Sequence, residues 1–419
     1  MKVHKFGGAS IKDVSSIKKI TKIIQKEGIA NGLLVISAMG KMTNALENIV
    51  NLYVNNQRNE LSVALQEIVD FHLKIINNLF EKEHEIYQKV DNLFAKIDLF
   101  IATNNSKNYD YIYDQIVCFG ELLSTSIISS YLNQEGIVNT WKDVRELIKT
   151  NDVYRDANVL WDETNALINS EINSSKMSIV QGFIASGHDG QTTTLGREGS
   201  DYTAGIFAYC LEAENVTIWK DVEGVLNADP RVFKETQLLT QISYEETIEM
   251  AFYGASVIHP KTIQPIQKKE IPLYVRSFNN LDSQGTKVSR GTTIDPLVPC
   301  FIVKKNQVLV SISSLDFSFI VEKNISFIFK LLDQYQLKVN LIQNSAISFS
   351  FCVDDAFDHF DAFYHQIKSF FKISFFKDVD LFTIRYFTEN SMKQICNQGK
   401  PLLTQTNKDT VQIVIQKNK

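Results

Sequence analysis

The chain opens with a strand, a glycine turn, a helix and a second strand, and this opening unit restricts the folds that it can adopt. Residues 3–6 have a strand pattern that ends at Gly7 and Gly8, and isoleucines then recur at helical spacing. Residues 33–39 form a second apolar run of strand length. A strand, a helix and a strand in this order predict a β-α-β unit of a mostly parallel sheet, so the predicted fold class is α/β.

The length of 419 residues exceeds the usual size of one hydrophobic core, so we expect more than one domain. We predict a first domain over residues 1–295, because Pro296 and Pro299 mark a plausible linker. Within it, residues 44–118 are rich in Leu, Ile, Glu, Lys and Asn at helical periods and contain no proline. This stretch is predicted to be an inserted helical subdomain.

The last part of the chain has a different order of elements. Residues 300–376 are predicted to run β-α-β-β-α-β, which is the order of a ferredoxin-like α+β domain. Residues 377–419 follow as strand, helix, strand and strand, which looks like a shortened second copy. Because the second copy is short, the two copies could also interlock rather than fold separately.

Composition excludes several classes of protein. The formal net charge is -5 and basic residues are spread along the chain, so no nucleic-acid partner is expected. The five cysteines lie far apart with no histidine at metal-ligand spacing, so we predict reduced thiols and no protein metal site. No signal region and no long apolar run is evident, so no membrane partner and a cytoplasmic location are expected.

The first chemical motif is the hexapeptide KFGGAS at residues 5–10. Glycines at a strand end let backbone N–H groups approach a phosphate, and the following helix N-terminus favours negative charge. Lys5 would then neutralise a phosphoryl group in transfer. The alternative is a surface lysine beside a tight turn, and the hexapeptide alone does not separate the two. The chain has no GxxxxGK[ST] sequence, so a P-loop enzyme is not indicated.

The second motif is TTTLGREGSD at residues 192–201. Arg197 can grip a carboxylate through two parallel hydrogen bonds, and Asp201 can orient a lysine or a substrate ammonium. The alternative is a solvated loop that caps the helix starting near Tyr202, which explains Ser200 and Asp201. That alternative leaves Arg197 and the glycines unexplained.

Two further motifs follow. Residues 219–231, WKDVEGVLNADPR, are predicted to form a strand followed by a turn-rich loop. The loop would lie at the carboxyl edge of the parallel sheet, which is the edge that ligands favour. Residues 253–262, YGASVIHPKT, carry a lone histidine before a proline. Such a residue is more often a hydrogen-bonded structural group than a catalyst, so His259 is given no role.

Six motifs in this order resemble the aspartate kinase family, whose members have the amino-acid kinase fold. They are KFGGAS at 5–10, SAMGKMT at 37–43, Gly120-Glu121, QGF at 181–183, LGREGSD at 195–201 and the loop at 221–231. The resemblance covers the whole chain. Its C-terminal part is similar to the paired ACT regulatory domains of that family, which bind end-product amino acids and form the dimer.

The resemblance implies an ATP-dependent kinase that moves the γ-phosphoryl group of MgATP to the β-carboxylate of L-aspartate. The product would be β-aspartyl phosphate, the first intermediate towards lysine, threonine and methionine. It implies that Lys5 contacts the transferred phosphate and that Asp201 organises the reaction centre. Glu121 would hold the α-ammonium of aspartate and Arg197 its α-carboxylate. The other positions implied in the substrate pocket are Ser37, Thr43, Phe183 and Ser200.

The resemblance also implies a nucleotide site with Mg²⁺ as the cofactor of ATP. The ion would be held largely by phosphate oxygens and water. Positive groups are needed there, because a dianionic substrate must approach a highly charged triphosphate. The positions implied at the nucleotide are Gly7, Gly8, Lys220, Asp221, Leu226, Arg231 and Ser256.

The sequence departs from the family pattern at several of these positions. Ser256 stands where the family usually has a lysine, and Lys220 where it usually has a hydroxyl, so Lys220 is expected to supply the missing charge. Leu226 replaces a common tyrosine. Residues 339–346 lack the acidic groups that lysine-sensitive relatives often place there, so inhibition by lysine, by threonine or by neither remains open.

The sequence leaves two alternative functions open. One is another kinase of the same superfamily, acting on acetylglutamate, glutamate, carbamate or UMP. The pairing of Glu121 with Arg197 speaks against it, since UMP has no α-ammonium for the carboxylate to hold. The other is a catalytically inactive amino-acid sensor, for which Ser256 is the only support in the sequence.

Overall fold

The computed structural model describes residues 1–255, 258–291, 293–316 and 318–417. The chain divides into two compact units. The N-terminal unit comprises Met1–Val225, Leu238–Ile248 and Ile258–Ile294, and the C-terminal unit comprises Leu226–Gln237, Glu249–Val257 and Asp295–Lys419. Each unit has its own sheet.

Helices up to residue 294 alternate with short strands. The helices are α1 (Val14–Lys26), α2 (Met42–Val54), α3 (Arg58–Leu79), α4 (Ile86–Thr103), α5 (Tyr109–Val117), α6 (Phe119–Gln134), α7 (Trp161–Glu171), α8 (Gly199–Cys210), α9 (Tyr244–Tyr253) and α10 (Pro260–Lys268). The strands are β1 (Lys2–Phe6), β2 (Leu33–Ile36), β3 (Asn139–Trp141), β4 (Met177–Gln181), β5 (Ile184–Ser186), β6 (Thr192–Thr194), β7 (Asn215–Lys220), β8 (Val225–Leu226), β9 (Leu238–Leu239), β10 (Gln241–Ser243), β11 (Leu273–Ser277) and β12 (Thr286–Ser289).

The main sheet of the N-terminal unit has eight strands in the order β10-β12-β11-β7-β1-β2-β4-β3. Its neighbouring strands run parallel, except that β11 and β12 are antiparallel. All four residues of β2 are buried, as expected for a central strand covered by helices on both faces. The α/β fold class with a mostly parallel sheet is therefore confirmed.

The opening unit predicted from the sequence is the centre of this sheet. Lys5 on β1 is paired with Val35 on β2 and with Ile218 on β7. A short 3-10 turn at Gly8–Ile11 follows β1, and the carboxylate of Asp13 caps α1 by accepting the N–H of Ser16 at 2.8 Å. Because β1 lies between two parallel strands, residues at its carboxyl end meet those of its neighbours at one edge.

One helical stretch in the N-terminal unit passes a test for a membrane span. Tyr109–Gln134, which includes α5 and α6, is long and apolar enough by length and composition, a match that the sequence had not led us to expect. However, 94% of its apolar window is buried inside the protein. Buried core helices pass the same test, so we treat this stretch as part of the core.

The C-terminal unit is built on an antiparallel sheet in the order β14-β15-β13-β16-β18-β17. Two helices of the first half, α11 and α12, lie against a core of large aromatic and aliphatic side chains. The elements are β13 (Cys300–Ser313), α11 (Glu322–Gln334), β14 (Lys338–Asn344), β15 (Ser348–Asp354), α12 (Phe360–Ile367), β16 (Lys372–Arg385), α13 (Glu389–Cys396), β17 (Gly399–Thr406) and β18 (Thr410–Lys417).

One long strand crosses residue 376, where the sequence analysis placed the end of the first copy. Residues 300–376 and 377–419 were expected to be two copies, but β16 is continuous from Lys372 to Arg385 and belongs to both ranges. Its middle carries the charged residues Lys377, Asp378 and Asp380. Pairing with β13 along its length and with β18 from Val379 onward keeps it extended, with a left-handed residue at Asp378. The two expected copies thus share one sheet.

The core of the C-terminal unit gives a stability prediction. Phe363 on α12 is fully buried in the hydrophobic core cluster that includes Phe351 and Phe360, whereas Phe357 is 63% exposed. Replacing Phe363 with alanine should destabilise this unit by about 3–5 kcal/mol, because it leaves a cavity. Thermal unfolding should show a clearly lower transition for Phe363→Ala and little change for Phe357→Ala. Equal losses would contradict the packing described.

Candidate active site

A cavity of about 620 Å³ opens in the N-terminal unit at the carboxyl ends of β1 and β7 and at the N-terminus of α8. This is the edge at which open α/β sheets bind ligands. The predicted catalytic and substrate-pocket residues line it together with Lys220. The full lining is Lys5, Ser37, Thr43, Asn44, Tyr113, Glu121, Arg155, Phe183, Gly196, Arg197, Glu198, Gly199, Ser200, Asp201 and Lys220.

Two lysines face one buried carboxylate in this cavity. The Nζ atom of Lys5 lies 2.5 Å from Oδ1 of Asp201, and the Nζ atom of Lys220 lies 3.7 Å from Oδ2. Burial alone would raise the pKa of Asp201, but the two ammonium groups outweigh it and hold the pKa below its usual value. Asp201 also lies in the first turn of α8, where a negative charge is favoured. The cluster keeps one positive charge in excess.

Glu121 on α6 is a buried carboxylate that is only partly satisfied. Its Oε1 accepts the N–H of Ala38 at 3.1 Å, and its Oε2 has no hydrogen-bond partner among the described residues. Burial raises the pKa of Glu121 to about 8, although the Ala38 N–H and the charge of Lys5 work against this. A cationic donor entering the cavity would satisfy the free oxygen.

Ser37 and Ser200 lie on one wall of the cavity, where backbone segments pack closely. Their hydroxyl oxygens are 2.9 Å apart. A side chain at Gly182 would put its Cβ 2.5 Å from the Ser200 hydroxyl, so only glycine fits. Phe183 follows in the left-handed region at a φ of 70°, with its N–H bonded to the Thr203 hydroxyl at 3.0 Å. Such strained backbone is concentrated at functional sites.

The glycine turn after β1 is also required by close approach. A Cβ at Gly8 would lie 2.7 Å from the carbonyl oxygen of Gly40 and 2.9 Å from that of Ala38. A Cβ at Gly7 would lie 3.3 Å from the Nζ atom of Lys5. The turn therefore packs against the loop after β2 and leaves room for Lys5 beside it.

Arg197 lies on an exposed loop at the mouth of the cavity and forms no hydrogen bond or ion pair with any residue that the structure describes. Next to it, Glu198 has a left-handed φ of 53° and accepts the N–H of His259 at 2.9 Å. The ring of His259 accepts the N–H of Lys261 at 3.2 Å and so caps α10. These contacts agree with a structural histidine, and they leave the guanidinium of Arg197 available.

The residues predicted at the nucleotide are more dispersed. Asp221 lines a separate cavity of about 250 Å³ with residues of α1. Arg231 belongs to the C-terminal unit, where its side chain is 80% exposed and pairs with Asp229 at 2.7 Å. Leu226 belongs to that unit as well. Ser256 lies outside the described residues.

Sequence reasoning missed three side chains of the cavity. Asn44 follows Thr43 at the start of α2, Tyr113 lies on α5, and Arg155 lies on the loop before α7. None of them lies in a glycine-rich motif. Asn44 could have been found, because it directly follows Thr43. Tyr113 and Arg155 had no local signal, since the helical insertion and this loop reach the cavity only through tertiary packing.

The donor set of the cavity does not make a protein metal site. The described ranges contain no group of three or more His, Cys, Asp or Glu residues that could hold a metal ion. Asp201 is already paired with two lysines.

Comparison with known proteins gives a consistent result. The model of the family described as the amino acid kinase family matches residues 1–277. The lysine-sensitive aspartokinase 3 of Escherichia coli is 31% identical over 360 residues, which cover 84% of this chain and 78% of that protein. A bifunctional aspartokinase/homoserine dehydrogenase of Arabidopsis thaliana is 30% identical over 84% of this chain, and the chain spans only 40% of that longer relative.

Solved structures agree with these sequence matches. E. coli aspartokinase III in complex with lysine and aspartate superposes with a TM-score of 0.82 and 26% identity, covering 99% of this chain and 96% of that one. The same enzyme in complex with aspartate and ADP gives a TM-score of 0.81, again at 26% identity and with the same coverage. The parallel-sheet unit and the antiparallel C-terminal unit both lie within the matched region. The chain therefore belongs to the amino acid kinase family and, within it, to the aspartokinases.

Proposed function

We propose that this protein is an aspartate kinase that transfers the γ-phosphoryl group of ATP to the β-carboxylate of L-aspartate. The observation that carries the proposal is one cavity that combines a cationic cluster with the Oε2 atom of Glu121 and the guanidinium of Arg197, neither of which has a hydrogen-bond partner among the described residues. Glu121 and Arg197 match the ammonium and α-carboxylate of an amino acid, and the pair of lysines matches a phosphoryl group. Relatives named aspartokinase, one of them solved with aspartate and ADP, support it.

The reaction needs no nucleophile from the protein. A β-carboxylate oxygen of aspartate attacks the γ-phosphorus, a new P–O bond forms, and the bond to the bridging oxygen breaks so that ADP leaves. The products are β-aspartyl phosphate and ADP. Positioning and stabilisation of charge supply the catalysis in such transfers. The main obstacle is repulsion between the two anions, which the excess positive charge near Asp201 reduces.

The two lysines and Asp201 have separate roles in this proposal. Lys5 contacts the γ-phosphoryl group as it moves, because its ammonium lies at the carboxyl end of the central strand. Asp201 holds both ammonium groups in place without neutralising them. Lys220 contacts the triphosphate and supplies the charge that a lysine at position 256 gives in relatives. The other positions proposed at the nucleotide are Gly7, Gly8, Asp221, Leu226, Arg231 and Ser256.

Glu121 and Arg197 orient the amino acid. The α-ammonium of aspartate would occupy the free side of the Glu121 carboxylate, which loses its proton as the ammonium arrives. Arg197 would bind the α-carboxylate through two hydrogen bonds. The β-carboxylate is then the end of the substrate that is turned towards Lys5. Ser37, Thr43, Phe183 and Ser200 complete the pocket wall.

The divalent ion is proposed to be Mg²⁺ bound to ATP, as part of the substrate. Phosphate oxygens and water would supply most of its ligands. The ion lowers the charge of the triphosphate that approaches the aspartate carboxylate.

The C-terminal unit is proposed to be regulatory, with an amino-acid effector and a dimer interface of ACT type. The lysine complex of the E. coli relative supports an effector in this family. Large apolar side chains on this unit are exposed, including Phe319, Phe375 and Phe376, as expected of a surface that another subunit covers. The effector is proposed to be lysine or threonine, the assembly a homodimer, and the location the cytoplasm.

Acyl phosphate formation tests the function directly. With MgATP and L-aspartate, hydroxylamine should trap a hydroxamate. With glutamate, acetylglutamate, carbamate or UMP as the acceptor, release of ADP should stay at the background rate. Arg197→Met should raise the KM for aspartate about tenfold or more, because a charged hydrogen bond is lost. Arg290→Met, which removes an exposed arginine paired with Glu270, should leave KM unchanged. Aspartate binding without any ATP turnover would favour a sensor instead.

Glu121 gives a prediction for stability as well as for binding. Its folded pKa of about 8 lies above the unfolded value near 4.5, so the folded protein holds a proton that the unfolded chain has lost between these pH values. Stability contributed by this group is therefore lost as pH rises from about 4.5 to 8, at roughly 1.4 kcal/mol per pH unit at most. Glu121→Gln should remove this loss.

Thermal unfolding at pH 5 and pH 8 measures the effect. Relative to the wild type, Glu121→Gln should gain melting temperature at pH 8 and little at pH 5, while its aspartate affinity falls sharply. Glu60→Gln, an exposed change on α3, should do neither. A difference in melting temperature that stays constant with pH would show that Glu121 does not carry the raised pKa.

The proposed role of Lys220 can be tested by measuring the KM for ATP. Lys220→Met should raise the KM for ATP by about tenfold and leave the KM for aspartate within about twofold, because the lost charge faces the triphosphate. Steady-state kinetics with each substrate varied in turn measure both constants. An unchanged KM for ATP would mean that Lys220 does not replace the charge missing at position 256.

A further inference from the structure

We propose that Arg155 is a further specificity-determining residue, whose guanidinium binds the α-carboxylate of the amino-acid substrate together with Arg197. This inference rests on the proposed function and adds to it a residue that lies outside the motifs of the sequence. Both arginines line the same cavity. They come from different parts of the chain, and only the folded protein brings them to one site.

The backbone holds Arg155 in an unusual conformation. Its φ is 66°, in the left-handed region that glycine adopts easily and an arginine does not. Its N–H donates to Oδ2 of Asp114 at 3.0 Å, and the same carboxylate accepts the N–H and the hydroxyl of Thr194 at 3.0 and 2.7 Å. Strain that the surroundings enforce in this way is typical of functional sites.

The loop of Arg155 packs directly on the loop that carries Arg197. The N–H of Ala157 donates to the carbonyl oxygen of Thr194 at 2.9 Å. A Cβ at Gly196 would lie 3.4 Å from the carbonyl oxygen of Arg155. The two arginines thus lie on backbone segments that pack against each other, and this packing fixes the positions of their Cα atoms.

The helical insertion orients the guanidinium. It lies over the ring of Tyr113 at 4.3 Å and over that of Tyr109 at 5.6 Å. One nitrogen donates to Glu47 on α2 at 3.3 Å, and another lies 3.6 Å from a carboxylate oxygen of Asp110. A guanidinium has five N–H donors, so these contacts leave donors for a ligand. The side chain is 41% exposed and faces the cavity.

Charge balance favours a carboxylate as the ligand. Lys5 and Lys220 are already directed at Asp201, so they serve the phosphoryl end of the site. The amino-acid end needs a cation for the α-carboxylate beside the carboxylate of Glu121. Arg155 shares the cavity with Glu121 and Arg197, and a planar guanidinium matches a carboxylate through two parallel hydrogen bonds. With two arginines at this end, a substrate without the α-carboxylate should bind more weakly than L-aspartate.

The test varies the residue and the substrate together. Arg155→Gly removes the guanidinium and suits the left-handed backbone, so the variant should fold with an unchanged melting temperature. With L-aspartate, its KM should rise about tenfold or more while kcat changes less than about threefold. With the α-amide of L-aspartate, which keeps the β-carboxylate but has no α-carboxylate, the same substitution should change KM by less than about twofold.

Two control variants separate binding from a structural role. Arg290→Met removes an exposed arginine that does not line the cavity, so it should not raise the KM for aspartate. Arg155→Lys keeps the charge without the planar fork and should give an intermediate KM. The inference is overturned if Arg155→Gly has the same effect on both substrates, or if it raises the KM for ATP instead.

Failure of the inference can be told from failure of the proposed function. A wild-type protein that makes no acyl phosphate from aspartate would overturn the function. A wild-type protein that is active, with an Arg155→Gly variant whose KM for aspartate is unchanged, would overturn the role of Arg155 alone.

Discussion

The buried ion cluster of Lys5, Asp201 and Lys220 is the interaction on which the site depends. Removing a carboxylate from water is expensive unless it is paired, and here two ammonium groups offset the cost. Because two positive charges surround one negative charge, the cluster remains attractive to an anion. The strand order of the sheet makes this possible, since β1 and β7 are neighbours and end at the same edge.

Around this cluster, the cavity wall is made of backbone that few residues could adopt. Gly8 and Gly182 lie too close to neighbouring atoms for any side chain, while Phe183, Arg155 and Glu198 have left-handed backbone. Each position costs stability in isolation, and the packing around it keeps it in place. The Oε2 atom of Glu121 belongs to the same pattern, because it has no hydrogen-bond partner among the described residues and a buried unsatisfied carboxyl group lowers stability.

In the C-terminal unit, strand pairing determines the conformation of a segment whose local sequence does not favour a strand. Its polar stretch at Lys377 and Asp378 has the composition of a turn, yet it lies inside β16. Neighbouring strands on both sides satisfy its backbone groups, which outweighs a weak local preference. The hydrophobic periodicity predicted the order of strands and helices. Their assembly into one sheet depends on contacts between residues that are far apart in the chain.

The sequence by itself determined the fold class, the family and most of the cavity, because β-α-β periodicity and glycine motifs are local signals. Lys5, Glu121, Arg197 and Asp201 could be named from short motifs, since each stands at a strand end or the start of a helix. Only the tertiary structure decided the pairing of Lys220 with Asp201 and the presence of Arg155 in the cavity. The physical reason is that these contacts join segments far apart in the chain, and no local periodicity records which segments will pack together.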